Sequence, residues 1–214
     1  MSEATPGHHV GGWHRVLDKA GVYVALQNLL LRKGSRERYV REFVRPFRGC
    51  RILDIGCGPG DILAHLPESI GVYVGFDINP EYIAAARRRW GARGTFRCEK
   101  VDVATFNDRD TYDIVLANGI VHHLDDDEAR YLFDMAHRAL RPGGWLVTYD
   151  NVYVEGQHWF ARWLIGRDRG KAVRTGEGYA TLARGRFTRI ESALLHKTLR
   201  VPYTIWIMRC TKTG

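Results

Sequence analysis

Ile52-Leu53-Asp54-Ile55-Gly56-Cys57-Gly58-Pro59-Gly60-Asp61 is the stretch that decides the architecture of this chain. A short apolar run ends in three glycines spaced two apart, as a strand requires when it must turn sharply and bring bare backbone against a ligand. The last glycine arrives one place too early for the dinucleotide pattern G-x-G-x-x-G, and Asp61 stands where the third glycine of that pattern belongs. An acid in that place meets a pyrophosphate badly, because a helix N-terminus favours an anion supplied by the ligand. A cationic, amino-acid-like ligand suits the loop better. The next apolar run, Val72–Asp77, ends in an acid about twenty residues beyond Gly56, the distance at which a carboxylate reaches ribose hydroxyls.

Outward from this loop, short apolar runs at 51–55, 72–77, 95–98, 114–118 and 145–150 alternate with amphipathic stretches. Asn79-Pro80 is a cap and first-turn signal for a helix to Trp90, and 125–140 opens on acids, repeats apolar residues at helical spacing and ends at Pro142-Gly143-Gly144. Strand alternating with helix implies a parallel sheet covered on both faces. After Asp150 the order changes: an irregular aromatic-rich stretch to about 170, a short helix near 178–183, then strands at 187–195 and 203–210 that read as an antiparallel pair at the edge of the sheet. Before the first strand, 13–31 and 35–47 read as helices. The expected organisation is one domain over 1–214, with a helical cap (1–47), a cofactor-binding core (48–150), an insert or lid (151–185) and a C-terminal β-hairpin (186–214).

With 214 residues, 45% of them hydrophobic and 26% charged, the chain has the composition of a folded domain. The apolar run 22–31 stops at Arg32-Lys33, short of the roughly 20 residues a membrane span needs. The N-terminus shows no secretory pattern, so a cytoplasmic protein without a membrane partner is expected. Four cysteines at 50, 57, 98 and 210 form neither a metal-binding nor a disulfide spacing, and no metal is expected. Residues 151–214 hold twelve basic residues against four acidic ones, so the whole net charge of +8 sits there. Such asymmetry indicates an anionic partner or a solvated face.

Four segments in order, LDIGCGPGD, VGFDINPEYI, YDIVLANGIVHHL and RALRPGGWLV, resemble the class I S-adenosylmethionine-dependent methyltransferases of the small-molecule branch over about residues 50–150. The resemblance implies an α/β, Rossmann-like, seven-stranded, mostly parallel sheet whose last strand is antiparallel, with helices on both faces, and S-adenosyl-L-methionine as cofactor. It implies that Asp54, Gly56, Cys57, Gly58 and Gly60 form the cofactor loop, that Asp77 accepts the ribose hydroxyls, that Ile78 lies on the adenine, and that Asn118 and Gly119 line the methionine end. An acid after the third strand binds the adenine amino group in similar enzymes; here Lys100 takes the strict position, and Asp102, followed by Val103, is assigned the role.

Methyl transfer from a sulfonium needs alignment and exclusion of water, plus a base where the acceptor is protonated. His123 is the first candidate for adjacency to the cofactor, with His122 and Asp150 beside it; the same residues also suit a structural or cofactor-lining role. Tyr153, His158, Arg167 and Arg169 are candidates to line the acceptor, with Arg174 in the same basic cluster, and Tyr23 and Tyr39 are candidates to close over the cofactor. The expected substrate is a small neutral or anionic molecule methylated on oxygen rather than nitrogen, by a monomer or homodimer. The competing readings are a nicotinamide-dependent oxidoreductase or epimerase, disfavoured by the missing glycine and the absence of Tyr-x-x-x-Lys; a nucleic-acid methyltransferase, disfavoured by the absence of its Pro-Pro-aromatic or Pro-Cys motifs; and a non-catalytic adenosylmethionine-binding protein.

Overall fold

Seven strands share one path: β1 (Arg51–Ile55), β2 (Val72–Asp77), β3 (Thr95–Cys98), β4 (Tyr112–Asn118), β5 (Leu140–Tyr153), β7 (Arg189–His196) and β8 (Thr204–Thr211) lie in the order β3-β2-β1-β4-β5-β8-β7. A two-residue strand, β6 (Arg174–Thr175), adds itself to β5 off this path. The computed structural model describes residues 34–101, 108–167, 172–196 and 204–214. β1 through β5 run parallel, whereas β8 runs antiparallel to both β5 and β7. The terminal pair therefore joins the sheet through β8, its second strand. The order reverses at β1, where β2 and β4 flank it and their loops part to leave a crevice at the strands' carboxyl ends.

Alternation along each strand divides the core in two. Leu53, Phe76, Val115 and Leu146 face a layer made by α3 (Asp126–Ala139) and α5 (Gly176–Ala183), with Phe133, Met135 and Tyr179 buried in it. Ile52, Tyr73, Ile114, Leu116 and Val147 face the other layer, made by α2 (Pro80–Trp90) and by α1 (Ser35–Tyr39), which continues as a π-helical turn at Val40–Val44. The cap expected at Asn79 is formed, its side chain accepting from the N–H groups of Glu81 and Tyr82, and Asp125 with Glu128 closes a capping box on α3.

The sequence reading is corrected in four places. A helix does not follow Gly60 directly; the loop runs into a single 3-10 turn at Asp61–Ala64. The stretch read as irregular to about 170 contains the end of β5 and a helix, α4 (Trp159–Arg167), which buries Ala161 and Ile165, one turn apart. β5 begins at Leu140, earlier than expected, because Arg141 to Gly144 form a bulge between the Tyr112–Leu140 and Ile114–Trp145 pairs. The helix expected to reach 47 stops at Val44, where Arg45 turns left-handed before Pro46. The expected helix 13–31 lies outside the described residues. No described helix is long and apolar enough to cross a membrane.

Candidate functional site

The loop after β1 is held open by its own backbone. Gly56 and Cys57 donate their N–H groups to the carbonyl of Phe76, which ties the loop to the end of β2. Gly58 sits at φ +54 with nothing within 4 Å of where a Cβ would stand, so bare backbone faces empty space, the close approach that a ligand requires. Gly56 is under a different constraint: its φ of +75 would strain any side chain, and a Cβ there would also have to displace the tip of Ile120 in the β4 loop, 2.8 Å away. Gly60 also holds positive φ. Cys57 turns its sulfur inward, where a Cβ on Gly75 would lie 2.7 Å from it, and burial raises its thiol pKa, so Cys57 offers a ligand only backbone.

Asp77 ends β2 with both carboxylate oxygens aimed by backbone: Gly58 N–H donates to Oδ2 at 2.9 Å and Asn79 N–H to Oδ1 at 2.8 Å. Each oxygen keeps a lone pair for a further donor, and the carboxylate is fixed at the mouth of the glycine loop. Ile78 follows with 74% of its surface exposed, an apolar platform beside the carboxylate. Asp61 does not face a ligand. Its carboxylate is taken by Arg89 of α2 at 2.8 Å with Arg36 at 4.0 Å, so the acid that displaces the dinucleotide pattern serves an ion pair. Open backbone, a backbone-anchored acid and an exposed aliphatic platform are nonetheless the parts that an adenosine-bearing, amino-acid-tailed cofactor needs.

Beneath the loop lies Asp54, 2% exposed, whose Oδ2 accepts from the Tyr73 hydroxyl at 2.6 Å and whose Oδ1 has no partner among the described residues. Burial pushes its pKa up to about 7. Because the folded value lies above the unfolded one, the native state retains a proton that the unfolded chain has lost, and stability falls as pH rises from about 4 to about 7. Asp54→Asn removes this dependence: its stability advantage over the parent should grow by on the order of 2 kcal/mol between about pH 5 and pH 8. Denaturant unfolding at the two pH values measures it, and a constant difference refutes it.

On the β4–β5 side, His122 and Asp150 meet. His122 lies in a 3-10 turn (Val121–His123), 6% exposed, and its Nδ1 stands 2.8 Å from Asp150 Oδ1, which also accepts the His122 backbone N–H at 3.1 Å. Asp150 Oδ2 has no hydrogen-bond partner among the described residues. The Cε1 edge of His122 faces Gly119, 4.0 Å from where that residue's Cβ would be. His123, the residue placed first from sequence, is exposed, its ring 4.1 Å from that of His122. Tyr39 of α1 reaches the same end: its hydroxyl donates to Asn118 Oδ1 at 2.5 Å and its ring packs edge-on against Tyr149. Burial raises the Tyr39 pKa well above its usual value, so it acts as a donor and not as a base. The Tyr39–Asn118 bond joins residues 79 apart, and the pairing leaves no local trace in sequence.

The expected acceptor-lining residues divide. Tyr153 ends β5 with the guanidinium of Arg162 over its ring at 5.3 Å, and His158 precedes α4, its Nδ1 accepting the Phe160 N–H. Arg167 ends α4, while Arg169, with Asp102, Val103 and Tyr23, lies outside the described residues. Arg174 is not available to an anion. Its guanidinium donates to the carbonyls of Val121, Leu124 and Ala172 and to Asp126. Arg184, Arg186, Arg189, Arg209 and Lys212 are likewise paired with carboxylates, so much of the C-terminal positive charge is neutralised locally.

Comparison with known proteins agrees with this fold. Residues 52–144 match the methyltransferase domain family. The chain is 34% identical over 122 residues to a trans-aconitate 2-methyltransferase of Methylobacterium nodulans, covering 54% of this chain and 44% of that protein. It is also 34% identical over 132 residues to a ubiquinone biosynthesis O-methyltransferase of Cereibacter sphaeroides, covering 56% and 51%. The matches thus span about half the length of these curated relatives. Among solved structures, a Haemonchus contortus phosphoethanolamine N-methyltransferase 2 in complex with S-adenosyl-L-methionine aligns at TM-score 0.73 and 16% identity, over 96% of this chain and 61% of that one. The YcgJ protein of Bacillus subtilis aligns at 0.64 and 14% identity, over 86% and 100%. These likenesses show a shared fold. With the ordered motifs and the glycine loop opposite Asp77, they set the nicotinamide reading aside: residues 52–144 match a methyltransferase domain, and the sheet has the fold of a methyltransferase solved with S-adenosyl-L-methionine.

Proposed function

We propose that the chain methylates an oxygen of a small neutral or anionic molecule, with His122 as the base and Asp150 as its orienting partner. The observation that carries this reading is the buried His122–Asp150 pair at the carboxyl ends of β4 and β5. S-adenosylmethionine, when bound, supplies the methyl group on a sulfonium sulfur. Gly58 lets backbone approach it, Asp77 accepts its ribose hydroxyls, Ile78 supports the adenine, and Asn118 with Gly119 borders the methionine end. A proton on His122 Nδ1, donated to Asp150, leaves the Nε2 lone pair as the acceptor for a hydroxyl proton. Asp150 stabilises the imidazolium so formed without itself taking the proton. Aligning the acceptor oxygen and excluding water supply the rest.

The segments outside the strand–helix alternation support an acceptor pocket at this end, since α1 brings Tyr39 to Asn118 and β6 fastens the insert to β5. Relatives named for trans-aconitate and for O-methylation in ubiquinone biosynthesis support oxygen in a small molecule. Arg162, which forms no ion pair among the described residues, and the Arg167 to Lys171 run support tolerance of negative charge. The test is incubation with methyl-labelled cofactor and a cell extract divided into small molecules, RNA and protein. Label in the small-molecule fraction is expected; label confined to RNA or protein overturns the reading.

A further inference from the structure

We propose that Arg174 is the positioning residue that holds His122 against Asp150. This rests on the reading of those two residues as the proton-accepting pair. Arg174 is far from both in sequence, yet it touches the supports of each. Its side chain is 13% exposed and grips the His122 turn from either end, with Nη1 donating to the carbonyl of Val121 at 3.3 Å and Nη2 to that of Leu124 at 2.9 Å. Nη1 also donates to the carbonyl of Ala172 at 2.9 Å, and Ala172 returns its N–H to the carbonyl of His122 at 3.1 Å. Nε and Nη2 lock onto Asp126 at 3.0 and 2.7 Å.

The backbone of Arg174 faces the other partner. Its N–H donates to the Tyr179 hydroxyl at 3.3 Å, that hydroxyl donates to the carbonyl of Asn151 at 2.9 Å, and β6 pairs Arg174 with Val152. Asn151 and Val152 directly follow Asp150. One residue thus spans the two elements whose separation sets the His122–Asp150 distance, its side chain on the turn and its backbone on β5. Only a planar guanidinium meets this set of acceptors, because its five N–H groups diverge in fixed directions, whereas a lysine ammonium is a compact charge on a flexible stem.

The test needs no acceptor. In protein labelled with 15N-histidine, two-bond correlation spectra report the tautomer of each ring, and the His122 signals are assigned by their loss in H122Q. The parent should show His122 as the Nδ1–H tautomer with a downfield, slowly exchanging Nδ1 proton. R174K keeps the charge and removes the fork, so that proton should disappear and the ring should move to the tautomer mixture of a free imidazole. R186M, which breaks an exposed ion pair between the turn after α5 and α3, should lower stability and leave the His122 signals in place. Should R174K not fold, R174Q carries the same reading through the Nδ1 proton. Retention of the parent's tautomer and Nδ1 proton in whichever variant folds overturns the proposal. Full methyl transfer by H122Q would instead overturn the assignment of the base, whatever the spectra show.

Discussion

His122→Gln lowers methyl transfer by about 10²–10⁴-fold, while affinity for S-adenosylhomocysteine changes by less than about threefold. The loss is large because glutamine keeps a polar group of similar reach but has no lone pair basic enough to take a hydroxyl proton. Binding is spared because no cofactor contact is assigned to the imidazole. Asp150→Asn should bring a comparable loss by another route: an amide in place of Oδ1 no longer compels the Nδ1 proton, and the ring is freed to present Nε2–H, which cannot accept. His123→Gln is the comparison, since that ring is exposed and stands beside the pair. Single-turnover assays with the labelled acceptor fraction measure all three. If His122→Gln retains transfer and His123→Gln loses it, the proton is taken by the exposed ring and the roles assigned above are reversed.

Asp77→Ala weakens S-adenosylhomocysteine binding by about 30- to 1000-fold, or about 2–4 kcal/mol. Two effects combine. The ribose hydroxyls lose a charged acceptor, and the N–H groups of Gly58 and Asn79 lose the carboxylate that aims them, so the loop slackens where its backbone must meet the ligand. Asp77→Asn separates the two, because its single carbonyl oxygen satisfies one of the N–H groups but not both. Calorimetry should therefore place it between the parent and the alanine variant. Unchanged affinity in a folded Asp77→Ala protein would remove Asp77 from the site.

What could be read in the chain followed the range of the interactions. The strands β1, β2 and β3 and the cap at Asn79 were legible because their determinants lie within a few residues: apolar runs, a capping side chain, a turn glycine. α4 was not, since its composition is dominated by Trp159, Phe160 and Trp163, residues without helix preference, and only the Ala161–Ile165 spacing betrays a buried face. The site divided the same way. Gly58 and Asp77 were visible as spacing, whereas the partners that decide what each side chain does were not. Arg89 neutralises Asp61 from 28 residues away, Asp150 takes His122 rather than His123 across the same separation, and Asp126 and three carbonyls engage the arginine expected to bind an anion. Residue type indicated the chemistry available, and the fold decided which groups were left to perform it.

The seat of β8 between β5 and β7 sets a condition on biosynthesis. The strand that fills the middle of this side of the sheet is synthesised after every other described strand, and until it emerges, β5 has an open edge of apolar residues and β7 lacks the neighbour it pairs with among the described strands. The nascent chain must carry that open edge through the whole synthesis of the insert, a period in which strand pairing with another chain competes with completion of its own sheet. Chaperone demand and yield on recombinant expression should therefore respond more to changes in residues 204–211 than to changes in the glycine loop, although the loop is the proposed seat of the cofactor.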